Sequence, residues 1–210
     1  MSDMAGTMRA GEAKAADVTK FSKVWNVPNI LTYGRIAAVP VVAGLLMWGT
    51  LEARWIAFAI YVAAAISDFV DGYLARLWQQ QSSLGRMLDP IADTVLVAVV
   101  LLVLSREEIL RQGHIWPIWA AIIILSREVL VSGLREYLGE LRVSVPVTKI
   151  AKWKTAAQLF AIGFLIAGPA GDQVFYYVTG VGIALLWVAA ALTLYTGYDY
   201  FRAGIRHVVD

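Results

Sequence analysis

Four aspartates, Asp68, Asp71, Asp89 and Asp93, lie within one short stretch, SDFVDGYLARLWQQQSSLGRMLDPIADT (67–94), set in sequence apolar enough for a membrane. Asp68 and Asp71 are three apart, and Asp89 and Asp93 are four apart. On helices both spacings put the two carboxylates of a pair on one face. Two helices that each present two carboxylates make a site for hard divalent cations. The chain has no Cys, and its only histidines are His114 and His207, which argues against zinc, haem or thiolate-bound metal. Oxygen donors alone point to Mg²⁺ or Mn²⁺. Four carboxylates around two such ions can clamp a phosphoryl group during displacement.

Their cost points the same way. A carboxylate at a membrane-helix centre costs about 2.5–3.5 kcal/mol, so four approach roughly 10–14 kcal/mol before any discount for shallow depth. That is comparable with the net stability of a whole protein. Structural pairing with Arg76 and Arg86 would offset two of the four and leave the others in need of cations.

The elements that must position these groups are membrane helices. Of 210 residues, 59% are hydrophobic and 16% charged, against about 25% charged in soluble domains; the mean hydropathy is +0.64. Several apolar runs reach spanning length. The expected fold is all-α: a polytopic integral membrane protein in the lipid bilayer, with six transmembrane helices and an N-terminal interfacial amphipathic helix. The first 25 residues show no cleavable signal pattern. Residues 1–14 read as a disordered tail. Residues 15–25 read as the interfacial helix, with Val18, Phe21, Val24 and Trp25 beside Lys20 and Lys23. Residues 26–210 read as one six-helix domain without internal repeat. Its spans are expected at about 29–49, 51–77, 85–104, 115–138, 148–167 and 174–198.

Within that frame Asp68 lies some 17 residues into the second span, about 25 Å of rise, and so near its far edge. Asp89 and Asp93 lie about 6 and 12 Å past Gly85 in the third. The two pairs therefore meet at similar depth from one side. In the first span Asn29, Thr32 and Arg35 recur on adjacent faces. An arginine two turns into a membrane helix seldom faces lipid, the alternative being an anchor that snorkels to the head groups. Six spans put both termini on one side, with fifteen of the eighteen Lys and Arg there and only Arg54, Arg106 and Arg111 opposite. By the positive-inside rule that side is the cytoplasm, in a bacterial-type inner membrane.

The string Asp68-x-x-Asp71-Gly72-x-x-Ala75-Arg76-x8-Gly85-x-x-x-Asp89-x-x-x-Asp93 resembles, at all eight fixed positions, the motif of the CDP-alcohol phosphotransferase family. The similarity extends through VPNILTYGR (27–35), LSREVLVSGLRE (125–136) and KIAKWKTAAQ (149–158). These flanks are most similar to the branch that joins CDP-diacylglycerol to sn-glycerol 3-phosphate. One position departs: that branch usually carries Lys after the last aspartate, where this chain has Thr94.

The resemblance implies a Mg²⁺- or Mn²⁺-dependent transferase of phospholipid biosynthesis, using two divalent cations and acting as a homodimer. It implies that Asp68, Asp71 and Asp89 hold both metals, while Asp93 contacts metal and takes the proton of the attacking hydroxyl. Metal contact lowers a carboxylate's basicity, which works against the second role. Gly72 and Ala75 lack bulk and would let the cytidine approach the helix backbone; close helix packing is their structural alternative. Arg76, Asn29 and Thr32 would complete the donor nucleotide site. A phosphorylated acceptor needs a basic pocket, for which the candidates are Arg127, Arg135, Lys149, Lys152 and Lys154. For the lysines, positive-inside anchoring is the plain alternative.

Other readings follow from the same residues. An acceptor such as inositol phosphate would keep the chemistry, whereas an acceptor without phosphate would leave Arg127 and the lysines unexplained. A cation transporter could use the same carboxylates, but transporters tend to show repeats and midplane sites. No nucleic-acid partner is expected.

Overall fold

The computed structural model describes residues 27–77, 83–106, 116–140 and 149–205, so the expected tail (1–14) and interfacial helix (15–25) lie outside the described residues. Every extended element among the described residues is an α-helix: α1 (Val27–Trp48), α2 (Leu51–Leu77), α3 (Ser83–Arg106), α4 (Trp116–Glu140), α5 (Lys149–Asp172) and α6 (Val178–Ile205). The first four lie within about two residues of the expected spans, whereas the last two overlap theirs but end five and seven residues later. Four contain segments long and apolar enough to cross a membrane: Asn29–Trp48, Leu51–Val70, Pro117–Gly139 and Val178–Arg202. The other two are α3, which carries Asp89 and Asp93, and α5, which opens on lysines and is broken near its end.

Local chemistry sets the boundaries. Pro28 falls in the first turn of α1, where a missing N–H costs nothing. Gly49 ends that helix with φ 77°, and its N–H donates to the Leu46 carbonyl at 3.1 Å, a left-handed cap that glycine adopts without strain. Thr50 then opens α2, its hydroxyl oxygen accepting the Ala53 N–H at 3.2 Å. The fifth helix differs from expectation. The sequence reading ends it at residue 167 and starts the sixth span at 174. In the structure α5 breaks at Gly168 (φ 37°, ψ −123°), and the chain resumes helix through Pro169 to Asp172. Residues 174–177 belong to the following turn, and α6 starts at Val178. Asp172 explains the late start, because its carboxylate accepts from both the N–H and the hydroxyl of Thr179 in the first turn of α6.

The helices pack as α1 against α2 and α3, α2 against α5, and α6 against α4 and α5. Val42, Leu46, Val100, Leu104, Ile124, Ile162, Leu165 and Leu186 form the buried centre. Small residues allow the close approaches that drive association in lipid. A Cβ at Gly163 would meet Phe58 and Tyr61 at 3.6 Å, and one at Gly182 would meet Leu165 at 3.0 Å.

Two hydrogen bonds fix the antiparallel register of α2 on α5. The Arg54 guanidinium donates to the Ile166 carbonyl at 3.2 Å, and the Tyr61 hydroxyl donates to the Leu159 carbonyl at 3.0 Å. Seven residues forward on α2 thus match seven back on α5, about 10.5 Å along each. One further step of the same length brings Asp68 level with Lys152.

Candidate active site

Arg35 on α1 ties the aspartate helices together. One of its terminal nitrogens lies 2.5 Å from Oδ1 of Asp68 on α2 and donates to Oδ1 of Asp93 on α3 at 2.8 Å. The arginine side chain is 1% exposed, whereas the two aspartates are about half exposed. A buried cation therefore holds two carboxylates at an open edge, on three different helices. Thr32 and Asn29, about one and two turns earlier on α1, are buried as well. The sequence reading keeps Arg35 from facing lipid but assigns it no role in the site. Its two partners depend on how α1 packs, which the spacing of residues within one helix does not encode.

Asp71 precedes the end of α2 on the same helical face as Asp68, and Asp89 stands one turn before Asp93 on α3. The backbones of Asp71, Gly72, Ala75, Arg76, Asp89 and Lys149 are helical; their side chains lie outside the described residues. Among the described residues no three His, Asp or Glu side chains gather as a metal site, but the pair that is described could take part in holding a hard divalent cation on two grounds. The donor set is carboxylate oxygen alone, and the two aspartates whose side chains are described already converge on a single cationic nitrogen.

Thr94 also finds a place. Its hydroxyl donates to the carbonyl of Pro90, one turn back, at 2.8 Å, so the side chain turns onto its own helix.

A second cluster joins α4, α5 and α6. Arg127 donates to the Thr196 hydroxyl at 3.3 Å and lies 3.6 Å from a carboxylate oxygen of Glu128. The other oxygen of Glu128 takes the Lys154 ammonium at 2.5 Å. Lys154 is buried, while Lys152 is exposed. Arg135, two turns beyond Arg127, lies over the Tyr200 ring at 5.6 Å from its centroid. Space for Arg127 comes from Gly197, where a Cβ would lie 3.0 Å from the Arg127 Cγ. The Arg127 Nε is buried without a hydrogen-bond partner, and a buried donor of that kind calls for an acceptor. The structure thus gathers Arg127, Arg135 and Lys154 of the five expected basic residues. It adds Glu128, Thr196, Gly197 and Tyr200, which the sequence reading leaves out. Glu128 is signalled only by its place beside Arg127, and nothing singles out Thr196 in an apolar span.

By the register of α2 on α5, this basic cluster stands at the level of Asp68. Toward the opposite end an apolar groove of about 610 Å³ runs between α2 and α5, from Trp55 and Phe175 to Phe69, the residue next to Asp68. The arrangement offers carboxylates and a basic pocket at one end of a helical bundle, with an apolar groove leading from that end toward the other.

Sequence comparison agrees with this chemistry. Residues 25–195 match the pattern described as CDP-alcohol phosphatidyltransferase. A protein of Rickettsia bellii is 45% identical over 85% of this chain and 94% of its own length. One of Cereibacter sphaeroides is 39% identical over 89% of this chain and 98% of its own, and one of Shigella flexneri 37% over 89% and 98%. All three are named CDP-diacylglycerol–glycerol-3-phosphate 3-phosphatidyltransferase. With the motif, the bundle and this extent of similarity in agreement, the chain belongs to the CDP-alcohol phosphatidyltransferase family.

Proposed function

We propose that the protein transfers the phosphatidyl group of CDP-diacylglycerol to sn-glycerol 3-phosphate, giving phosphatidylglycerophosphate and CMP. The observation that carries this reading is the cluster of Arg127, Glu128 and Lys154 level with the Arg35-bridged aspartates. A phosphorylated acceptor needs its own cationic pocket within reach of the carboxylates, and an unphosphorylated one does not.

In the reaction the acceptor hydroxyl oxygen forms a bond to the phosphatidyl phosphorus, and the bond from that phosphorus to the oxygen of CMP breaks. The hydroxyl proton passes to Asp93, the catalytic base. Asp68, Asp71, Asp89 and Asp93 would hold two Mg²⁺ or Mn²⁺ ions, which when bound neutralise the pyrophosphate and stabilise the departing CMP. Asn29 and Thr32 of α1 and Gly72, Ala75 and Arg76 of α2 receive the nucleotide. Arg127, Arg135, Lys149, Lys152 and Lys154 receive the acceptor phosphate. Of these, Arg127 and Lys154 are the inner pair, which Glu128 keeps oriented. The groove that ends beside Asp68 seats an acyl chain of the donor, and its lining of Trp55, Phe58, Phe160 and Phe164 suits hydrocarbon.

We read all six helices as spans of the cytoplasmic membrane, with an interfacial helix ahead of them. Both termini and the site face the cytoplasm, and the active unit is a homodimer. The deciding experiment supplies purified protein with CDP-diacylglycerol and Mg²⁺ and follows CMP release across a set of acceptors. Glycerol 3-phosphate should exceed inositol phosphate, serine and glycerol by at least tenfold. Faster turnover with another acceptor would replace the acceptor assignment. Mg²⁺ flux into proteoliposomes with no CMP released would replace the enzyme reading altogether.

A further inference from the structure

The contact of Arg35 with both aspartates has a consequence for how the site fills. We propose that the Arg35 guanidinium is the resident counter-cation of the carboxylates, so that divalent cations load against it and load fully only together with the donor's pyrophosphate. This rests on the reading of Asp68, Asp71, Asp89 and Asp93 as metal ligands.

The geometry places one guanidinium nitrogen at 2.5 Å from Asp68 and 2.8 Å from Asp93. Its side chain is 1% exposed, so it has little room to withdraw into water when another cation arrives. The charges then decide the order of events. Four carboxylates and two divalent cations cancel, and Arg35 leaves an excess positive charge in a partly dehydrated pocket. Like charges at such range repel far more strongly than in bulk water. A bound pyrophosphate reverses the excess. Arg35 therefore weakens metal binding in the empty site and ceases to do so once the donor head group is present. In the absence of metal it performs the opposite service, keeping Asp68 and Asp93 from driving their helices apart.

The test measures Mn²⁺ affinity of the purified full-length protein in detergent, with and without soluble CDP, for the native chain, Arg35→Lys and Arg35→Gln. Without CDP, Arg35→Gln should bind Mn²⁺ about tenfold more tightly than the native chain, as expected when a neighbouring like charge is removed. Arg35→Lys, which keeps the charge, should stay within about threefold of native. CDP should tighten Mn²⁺ binding about tenfold in the native chain and in Arg35→Lys, and clearly less in Arg35→Gln.

Unchanged or weaker Mn²⁺ binding by Arg35→Gln, with its thermal transition intact, would overturn the proposal, since a purely structural arginine changes the transition and not the affinity. If Arg35→Gln does not fold, the native chain and Arg35→Lys still decide, because CDP without effect on their Mn²⁺ affinity also overturns it. Failure of the native chain to bind Mn²⁺ at all, with or without CDP, would remove the metal reading on which the proposal stands.

Discussion

Arg127 meets three different neighbours: a hydroxyl on α6, a carboxylate on its own helix and the gap left by Gly197. Each supplies a separate way to disturb the acceptor without touching the donor. Arg127→Ala should raise the KM for glycerol 3-phosphate at least tenfold while the KM for CDP-diacylglycerol moves less than about threefold. Equal changes would take Arg127 out of the acceptor pocket. Gly197→Ala should act in the same direction but more weakly, because its Cβ would press on the Arg127 Cγ at 3.0 Å. Asp93→Asn keeps size and removes basicity, so kcat should fall by about 10²–10⁴ with little change in either KM. Retained kcat would deny Asp93 the base role. At this scale the approach of Asp68 and Asp93 is legible in the sequence, because helical spacing and membrane cost both act within a short stretch of chain. Arg35, Glu128 and Thr196 are not, because each acquires its role from a residue 26 to 69 positions away.

The elements repeat that contrast. The order of the six helices among the described residues is legible because long apolar runs are separated by polar connections, though only four of the six hold segments long and apolar enough to cross a membrane. The end of α5 is not. Gly168 and Pro169 read as the start of a turn, yet the chain recovers helix beyond them. The break interrupts the helical hydrogen bonding of buried backbone, where unsatisfied carbonyls are expensive. Arg54 reaches across from α2 to take one of them, the carbonyl of Ile166. A lone arginine in the second span, legible as a charge on the far side, thus becomes a brace for a broken helix. Two substitutions test the brace. Gly168→Ala forces a side chain into a backbone region at φ 37° and should cost about 1–3 kcal/mol, seen as a lower thermal transition in detergent. Arg54→Met should lower the transition as well. Neither should alter the ratio of acceptor to donor KM, because Arg54 and Ile166 stand about 20 Å along the bundle from the level of Asp68. A selective acceptor defect in either variant would mean that the break communicates with the site.

For the molecule as a whole, the register of α2 on α5 does what neither helix does alone. It sets the carboxylates of α2 and the lysines of α5 at one end, and the start of α1, the start of α3 and the end of α6 join them there. On a six-span path the sequence would set fifteen Lys and Arg on that side and three on the other. What it does not give is whether every helix completes the crossing. The two that fall short on apolarity are α3, weighted by its aspartates, and α5, opened by lysines and broken at Gly168. Each would change the path in a distinct way if it turned back. The chain carries no cysteine, so single cysteines report without background. With six full spans and the positive side inward, Gln173→Cys in the exposed turn after α5 and Gln112→Cys between α3 and α4 should react with a membrane-impermeant maleimide in intact cells. Ser2→Cys should react only after lysis. Protection of Gln173→Cys with labelling of Gln112→Cys would mean that α5 returns to the cytoplasmic side. Protection of Gln112→Cys would mean the same of α3. The aspartate site itself stands under either outcome, because α2 ends at Leu77 and α3 starts at Ser83, so Asp89 and Asp93, within about three turns of that start, enter from the face where α2 ends.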